Sequence, residues 1–185
     1  MQYLSKEQII AAAERIFNAF TQTCSAVEEV SFFKHPPGKW SVAENVRHLV
    51  VSTNTTTLAY TLPDFIVRWV GGKPNRHSRS YEELVNKYKT KLAAGGKASG
   101  RFVPKPISTQ YGKAKLMQEW KTATAKFLTA LTTKTSETKL DDYLVKHPLL
   151  GRITLRELCY FTIYHTEHHL TIIQNRSADN TLPTT

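Results

Sequence analysis

The sequence predicts an all-α protein: a four-helix bundle in up-down-down-up order, with a long crossover that carries an extra short helix. Three observations predict it. Four capping boxes, Ser5…Gln8, Ser41…Glu44, Ser80…Glu83 and Thr154…Glu157, each place a hydroxyl at a helix start and a Glu or Gln three residues on to bond back. Apolar residues recur at helical spacing downstream of these caps. Strand-type alternation is nearly absent, and Phe102-Val103 and Leu144-Val145 are too short to carry a sheet.

Taken in order, the first helix is predicted over residues 6–30, with Ile9, Ala13, Ile16, Phe17, Phe20 and Val27 near one face. Pro36-Pro37-Gly38 breaks the chain, and a second helix follows over 42–59. After Ser80 comes a shorter amphipathic piece with Tyr81, Leu84, Val85, Tyr88 and Leu92, ended by Gly95-Gly96. Residues 95–111, with Pro104 and Pro106, read as irregular basic loop. The next long helix spans 113–133 on Leu116, Trp120, Ala123, Phe127, Leu128 and Leu131. Residues 134–153 are polar and end in a turn-like Lys146-His147-Pro148-Leu149-Leu150-Gly151, and the last helix covers 155–174. Residues 1–176 thus make one domain, and 177–185 a short polar tail expected to fray.

The bulk numbers set limits. With 41% hydrophobic and 22% charged residues, the chain of 185 can bury a real core and is not of the disordered class. No apolar run approaches the ~20 residues that span a bilayer, so no membrane segment is expected. The first seven residues show no basic stretch leading into an apolar one, so no secretory leader is expected. Cys24 and Cys159 form no CxxC pair, which fits a reducing, cytoplasmic setting. The net charge of +10 is localised: residues 67–126 carry fourteen Lys/Arg against three Asp/Glu, a net +11. Clustered positive charge attracts anions, or it is a solvated basic connection.

The chemistry concentrates in three histidines. His165 and His169 are four residues apart, so they stack on one helix face and can share a divalent ion. Their seam, Leu158, Thr162, His165, His169, Ile172, continues an inward stripe, whereas His168 falls to one side by Phe161 and Tyr164. His48 lies seven residues after its cap, roughly 10 Å into the second helix, and the other two lie roughly 9–15 Å from the end of the last helix. Those depths match if the two helices are antiparallel, as the predicted topology makes them. Three imidazoles from two helices leave a coordination position open for water or substrate. Asn45, Ser52 and Thr55 share a face with His48, either as supporting or substrate contacts or as polar lining of a bundle end. Tyr164 and His168 are pocket candidates whose acid or base role stays open. Glu44 is explained by its capping box, and His35, His77 and His147 fall in loops without assigned chemistry.

Two stretches carry a resemblance. Gly38-Lys39-Trp40-Ser41-Val42-Ala43-Glu44-Asn45-Val46-Arg47-His48-Leu49 resembles the first signature of the DinB-like (YfiT-type) family. The run from His147 to Leu158, leading into Tyr164-His165-Thr166-Glu167-His168-His169, resembles its second. The resemblance implies an up-down-down-up four-helix bundle, often dimeric, with a divalent metal on His48, His165 and His169. Relatives include S-transferases that use bacillithiol, mycothiol or glutathione, and a mycothiol-dependent isomerase.

The expected function is therefore a metal-dependent enzyme, an S-transferase or a hydrolase, with zinc or nickel as cofactor and a low-molecular-weight thiol as cosubstrate. Such thiols carry carboxylates, so the small-molecule substrate is expected to be anionic, with Arg68, Arg76, Arg79 or Arg101 to hold it. A homodimer is expected, with exposed apolar residues of the first and last helices as the place to look. The alternative is a non-catalytic protein whose basic middle segment, with Trp69 and Tyr81 for stacking, binds nucleic acid or another polyanion. No helix-turn-helix or zinc-finger pattern supports it.

Overall fold

The computed structural model describes residues 3–179, and most of them lie in eight α-helices. Helix α1 (Lys6–Ala26) starts at the Ser5 capping box and buries Ile9, Ala13, Phe17, Phe20 and Cys24. It stops short of the predicted residue 30, because Val27 is extended and Lys113 caps the helix end by donating its ammonium to the Ser25 carbonyl at 2.8 Å. After this turn, α2 (Glu29–Phe33) buries both Phe32 and Phe33. Helix α3 (Val42–Thr61) starts at Ser41, whose hydroxyl accepts the Glu44 amide while the Glu44 carboxylate accepts the Ser41 amide.

The crossover holds more order than one short helix. Pro63 opens α4 (Asp64–Gly71), which the sequence reading missed, and Gly72 ends it at φ +88°. Helix α5 (Tyr81–Ala93) follows the Ser80 capping box as expected. Within the basic loop, Gly100–Phe102 and Thr109–Tyr111 form single 3-10 turns. Then come α6 (Lys113–Lys134) and the short α7 (Lys139–Asp142).

A second correction concerns the segment expected to lack strands. β1 (Leu144–His147) and β2 (Gly151–Thr154) form an antiparallel hairpin with Val145 opposite Ile153. Helix α8 (Leu155–Asp179) starts directly from it. Thr154 and Glu157 exchange amide contacts at 2.9 and 3.2 Å, the predicted capping box. Helix α8 runs three residues into the segment expected to be a polar tail, and residues 180–185 of that tail lie outside the described ones.

The long helices pack pairwise: α3 against α6 and α8, α1 against the same two. Their shared core is aromatic. Trp120, Tyr60, Tyr160, Phe20 and Phe127 are fully buried, and Phe17 meets Trp120 and Phe127 edge-on at 5.4 and 5.8 Å. Two contacts set the direction of α3 against α8. The Tyr60 hydroxyl, near the end of α3, donates to the Leu155 carbonyl at the start of α8 (2.9 Å), and Arg176, late in α8, donates to the Trp40 carbonyl just before α3. These two helices are therefore antiparallel. The crossover is fastened to α8 by a fully buried carboxylate, Glu157, which accepts from Arg76 (2.7 and 2.8 Å) and from Arg79 (3.1 Å). Among the described residues no helix is long and apolar enough to cross a membrane.

Candidate metal centre

His48 projects from the second turn of α3, and His165 and His169 from the middle of α8; all three are buried. Antiparallel packing brings them to the same depth. The Nε2 atoms of His48 and His165 are 2.9 Å apart, and those of His165 and His169 are 3.2 Å apart.

The outer nitrogens explain why Nε2 faces inward. The Nδ1–H of His48 donates to the Phe102 carbonyl at 2.6 Å. The Nδ1–H of His169 donates to Asn45 Oδ1 at 2.6 Å, and the Asn45 amide is held in that sense because its Nδ2 donates to the Ser41 carbonyl at 2.7 Å. Among the described residues, His165 Nδ1 has only Ser52 Oγ as a polar neighbour, at 3.5 Å. With Nδ1 protonated on His48 and His169, both of their Nε2 atoms present lone pairs. A single proton on His165 could serve one of them and would leave the other facing it unpaired in a buried site.

A divalent cation resolves this arrangement. With metal–nitrogen bonds of about 2.0–2.1 Å and tetrahedral angles, ligand nitrogens lie about 3.3 Å apart, within a few tenths of the two spacings given above, and all three ligand nitrogens lie within 4.8 Å of one another. Charge points the same way. Burial pushes His165 and His169 well below the usual histidine range, and the neighbouring imidazoles add to the shift. Burial also lowers His48, against the opposing effect of the Phe102 carbonyl. Neutral imidazoles are what a metal needs. These three histidines could hold a metal ion.

Aromatic rings fix the imidazoles from outside. Trp40 lies parallel to His169 at 6.2 Å and tilted over His48 at 5.0 Å, and Phe161 stacks on His165 at 4.7 Å. His147 packs edge-on against Phe161 at 4.2 Å, while its Nδ1 accepts the Leu149 and Leu150 amides and so closes the β1–β2 turn. Burial pushes its pKa down to about 4.

The cluster opens into a cavity of about 840 Å³. Asn45, Ser52 and His168 line it, as do Lys97, Arg101, Lys146 and Arg176, and no Asp or Glu is among its described lining residues. Tyr164 stands elsewhere, edge-on to Tyr88 at 6.0 Å with the Lys89 ammonium 5.6 Å from its ring. Of the four arginines considered for an anionic substrate, only Arg101 reaches the cavity. Arg76 and Arg79 are committed to Glu157, and Arg68 lies over the Tyr143 ring. The sequence reading missed Trp40, Arg176 and the Phe102 carbonyl. Trp40 immediately precedes the Ser41 cap, a cue that adjacency offered; the other two carry no local signal.

A family model described as the DinB superfamily matches residues 9–173. No curated protein and no solved structure gives a significant match. The match takes in both signature stretches and all three clustered histidines, and the chain belongs to the DinB superfamily.

Proposed function

We propose that this protein is a divalent-metal-dependent enzyme, an S-transferase using a low-molecular-weight thiol or a hydrolase, acting on a small anionic substrate. One observation carries the proposal: three buried imidazoles bring ligand nitrogens within 4.8 Å of one another, at the wall of a cavity with no Asp or Glu among its described lining residues. A divalent ion held there would act as a Lewis acid, lowering the pKa of a thiol or water at its open position. The chain's own residues do the rest. Asn45 and the Phe102 carbonyl hold two imidazoles in the required tautomer, Trp40 and Phe161 keep water from their flanks, and Arg101 and Arg176 supply positive charge at the cavity for a carboxylate. Zinc or nickel suits three imidazoles. We extend this reading to the up-down-down-up order of the four long helices, which the packing of α1 and α3 on both α6 and α8 supports, and to a cytoplasmic homodimer.

The polyanion alternative gains no such observation. Within the basic segment, Arg76 and Arg79 bind Glu157, and Lys87 and Lys113 donate to the Leu150 and Ser25 carbonyls. Tyr81 packs edge-on against Tyr160 at 5.6 Å.

The test is elemental analysis of purified protein beside a thiol-transfer screen. The parent should carry about one transition-metal ion per chain, and His165→Ala should lose it while staying folded. Equal metal content in parent and variant would end the proposal.

A further inference from the structure

The cavity is graded along its length. On α3 its lining passes from Asn45 and His48 through Ser52 and Thr56 to Ala59 and Leu62, polar to apolar on one helix face. His48 and Leu62 are fourteen residues apart, or about 21 Å of helix. Opposite the far half stand Ile66, Val67 and Val70 of α4 and Leu144 of β1. Gly71 allows that wall to form, since a Cβ there would lie 1.5 Å from the Leu144 carbonyl oxygen. Of the four basic residues that line the cavity, Arg101 and Arg176 stand at the other end, with Lys146 on β1 and Lys97 in the loop after α5. Arg101 adjoins Phe102, whose carbonyl holds His48, and Arg176 donates to the Trp40 carbonyl beside the cluster.

The apolar half does not close over. Leu58, Leu62 and Val70 line it yet are 50%, 39% and 47% exposed, and Phe65 and Trp69 flank them on α4 at 72% and 86%. A run of exposed apolar residues leading into a cavity marks a ligand route. The cavity volume lies within the range of small-molecule sites, roughly 300–1,000 Å³.

We propose that this arm seats the unbranched hydrocarbon chain of an anionic amphiphile, with its head group between Arg101, Arg176 and the histidine cluster and its chain running along α3 toward α4. Both gradients select this class. The basic end, with no Asp or Glu among its described lining residues, rejects a cationic head, and the side chains of Ala59, Leu62, Val67 and Val70 at the far end offer a chain no hydrogen-bonding partner. What the head group undergoes at the cluster rests on the metal-enzyme reading, whereas the seat for the chain does not.

The experiment is calorimetric titration of the full chain with octanoate, decanoate and dodecanoate below their micellar concentrations, and with dodecyltrimethylammonium as the cationic control. Each buried methylene contributes about 0.8 kcal/mol, so affinity should rise about fourfold per methylene. The cation should bind at least tenfold more weakly than dodecanoate. Ala59→Trp fills the arm, and Val70→Asp places a carboxylate at its exposed lip, where folding is little at risk. Each should weaken dodecanoate at least tenfold with metal content as in the parent. His165→Ala should keep the chain-length dependence, so loss of metal tests the metal centre and not the arm. Affinity independent of chain length, equal binding of the cation, or parent-like dodecanoate binding by both arm variants would overturn the proposal. So would a dimer that Trp69→Glu dissolves in sedimentation, because a second copy would then cover the α4 face.

Discussion

Asn45→Leu isolates the link between orientation and metal affinity. The substitution keeps the side chain's heavy-atom count and branching and removes its hydrogen bonds: the 2.6 Å acceptance from His169, the 2.7 Å donation to the Ser41 carbonyl and a longer one to the Trp40 carbonyl at 3.4 Å. The Nδ1–H of His169 is then buried without an acceptor, at a cost of about 1–3 kcal/mol. The imidazole can relieve that cost by moving its proton to Nε2, which consumes the lone pair aimed at the cluster. Metal binding must reverse the move, so most of the cost appears in the affinity, weakening it about ten- to a hundredfold. Competition against a chromophoric chelator at fixed pH reads this directly, with a thermal melt to show that the variant is folded. Ser52→Ala is the control. Its hydroxyl is 3.5 Å from His165 Nδ1, too far to orient the ring, and affinity should change less than about threefold. A folded Asn45→Leu protein that binds metal within threefold of the parent would refute the orienting role.

Other consequences follow from the same contacts. Glu157→Leu should destabilise the protein by about 3 kcal/mol in urea titrations, at the low end for a broken buried ion pair because Arg76 and Arg79 are 31% and 27% exposed and can turn to water; a change below about 1 kcal/mol would show that Glu157 does not fasten the crossover. Gly71→Ala should cost about 2–3 kcal/mol and lower Tm by about 5–10 °C by driving α4 off β1, whereas Gly38→Ala, with open space around it and only φ +65° against it, should cost about 1 kcal/mol. Metal-stripped protein should lose stability as pH falls below about 6.5. His147, with a folded pKa of about 4, and the cluster histidines, also lowered, are protonated in the unfolded chain first, so their contribution is complete above the unfolded pKa and disappears on acidification. A urea midpoint that stays level from pH 7.5 to 5 would contradict this.

Much of the helical pattern was legible beforehand. Ser41 and Glu44 announce α3, and Thr154 and Glu157 announce α8, because a capping box is a three-residue interaction with its own signature. What escaped was shaped by partners distant in sequence. The hairpin Leu144–Thr154 is held by packing against α4 and α8 and by His147 accepting the Leu149 and Leu150 amides, none of which a four-residue strand reveals. Helix α4 was overlooked because its eight residues span little more than two turns, too few for an apolar spacing to repeat, and it has no side-chain cap. Arg76 and Arg79 looked available for a substrate until Glu157, eighty-one and seventy-eight residues away, claimed them.

By itself the sequence determined where three of the long helices, α1, α3 and α8, begin and that His165 and His169 share a face, since both follow from caps and a 3.6-residue period that operate within a few positions. It also made a meeting with His48 testable through matched depth in antiparallel helices. Only the tertiary structure decided which groups orient those rings: Phe102 is fifty-four residues from His48, and Asn45 is one hundred and twenty-four from His169. It alone decided that the cavity is basic at the cluster and apolar toward α4. Contacts across such separations depend on how helices pack and where loops return, and no periodicity along the chain encodes them.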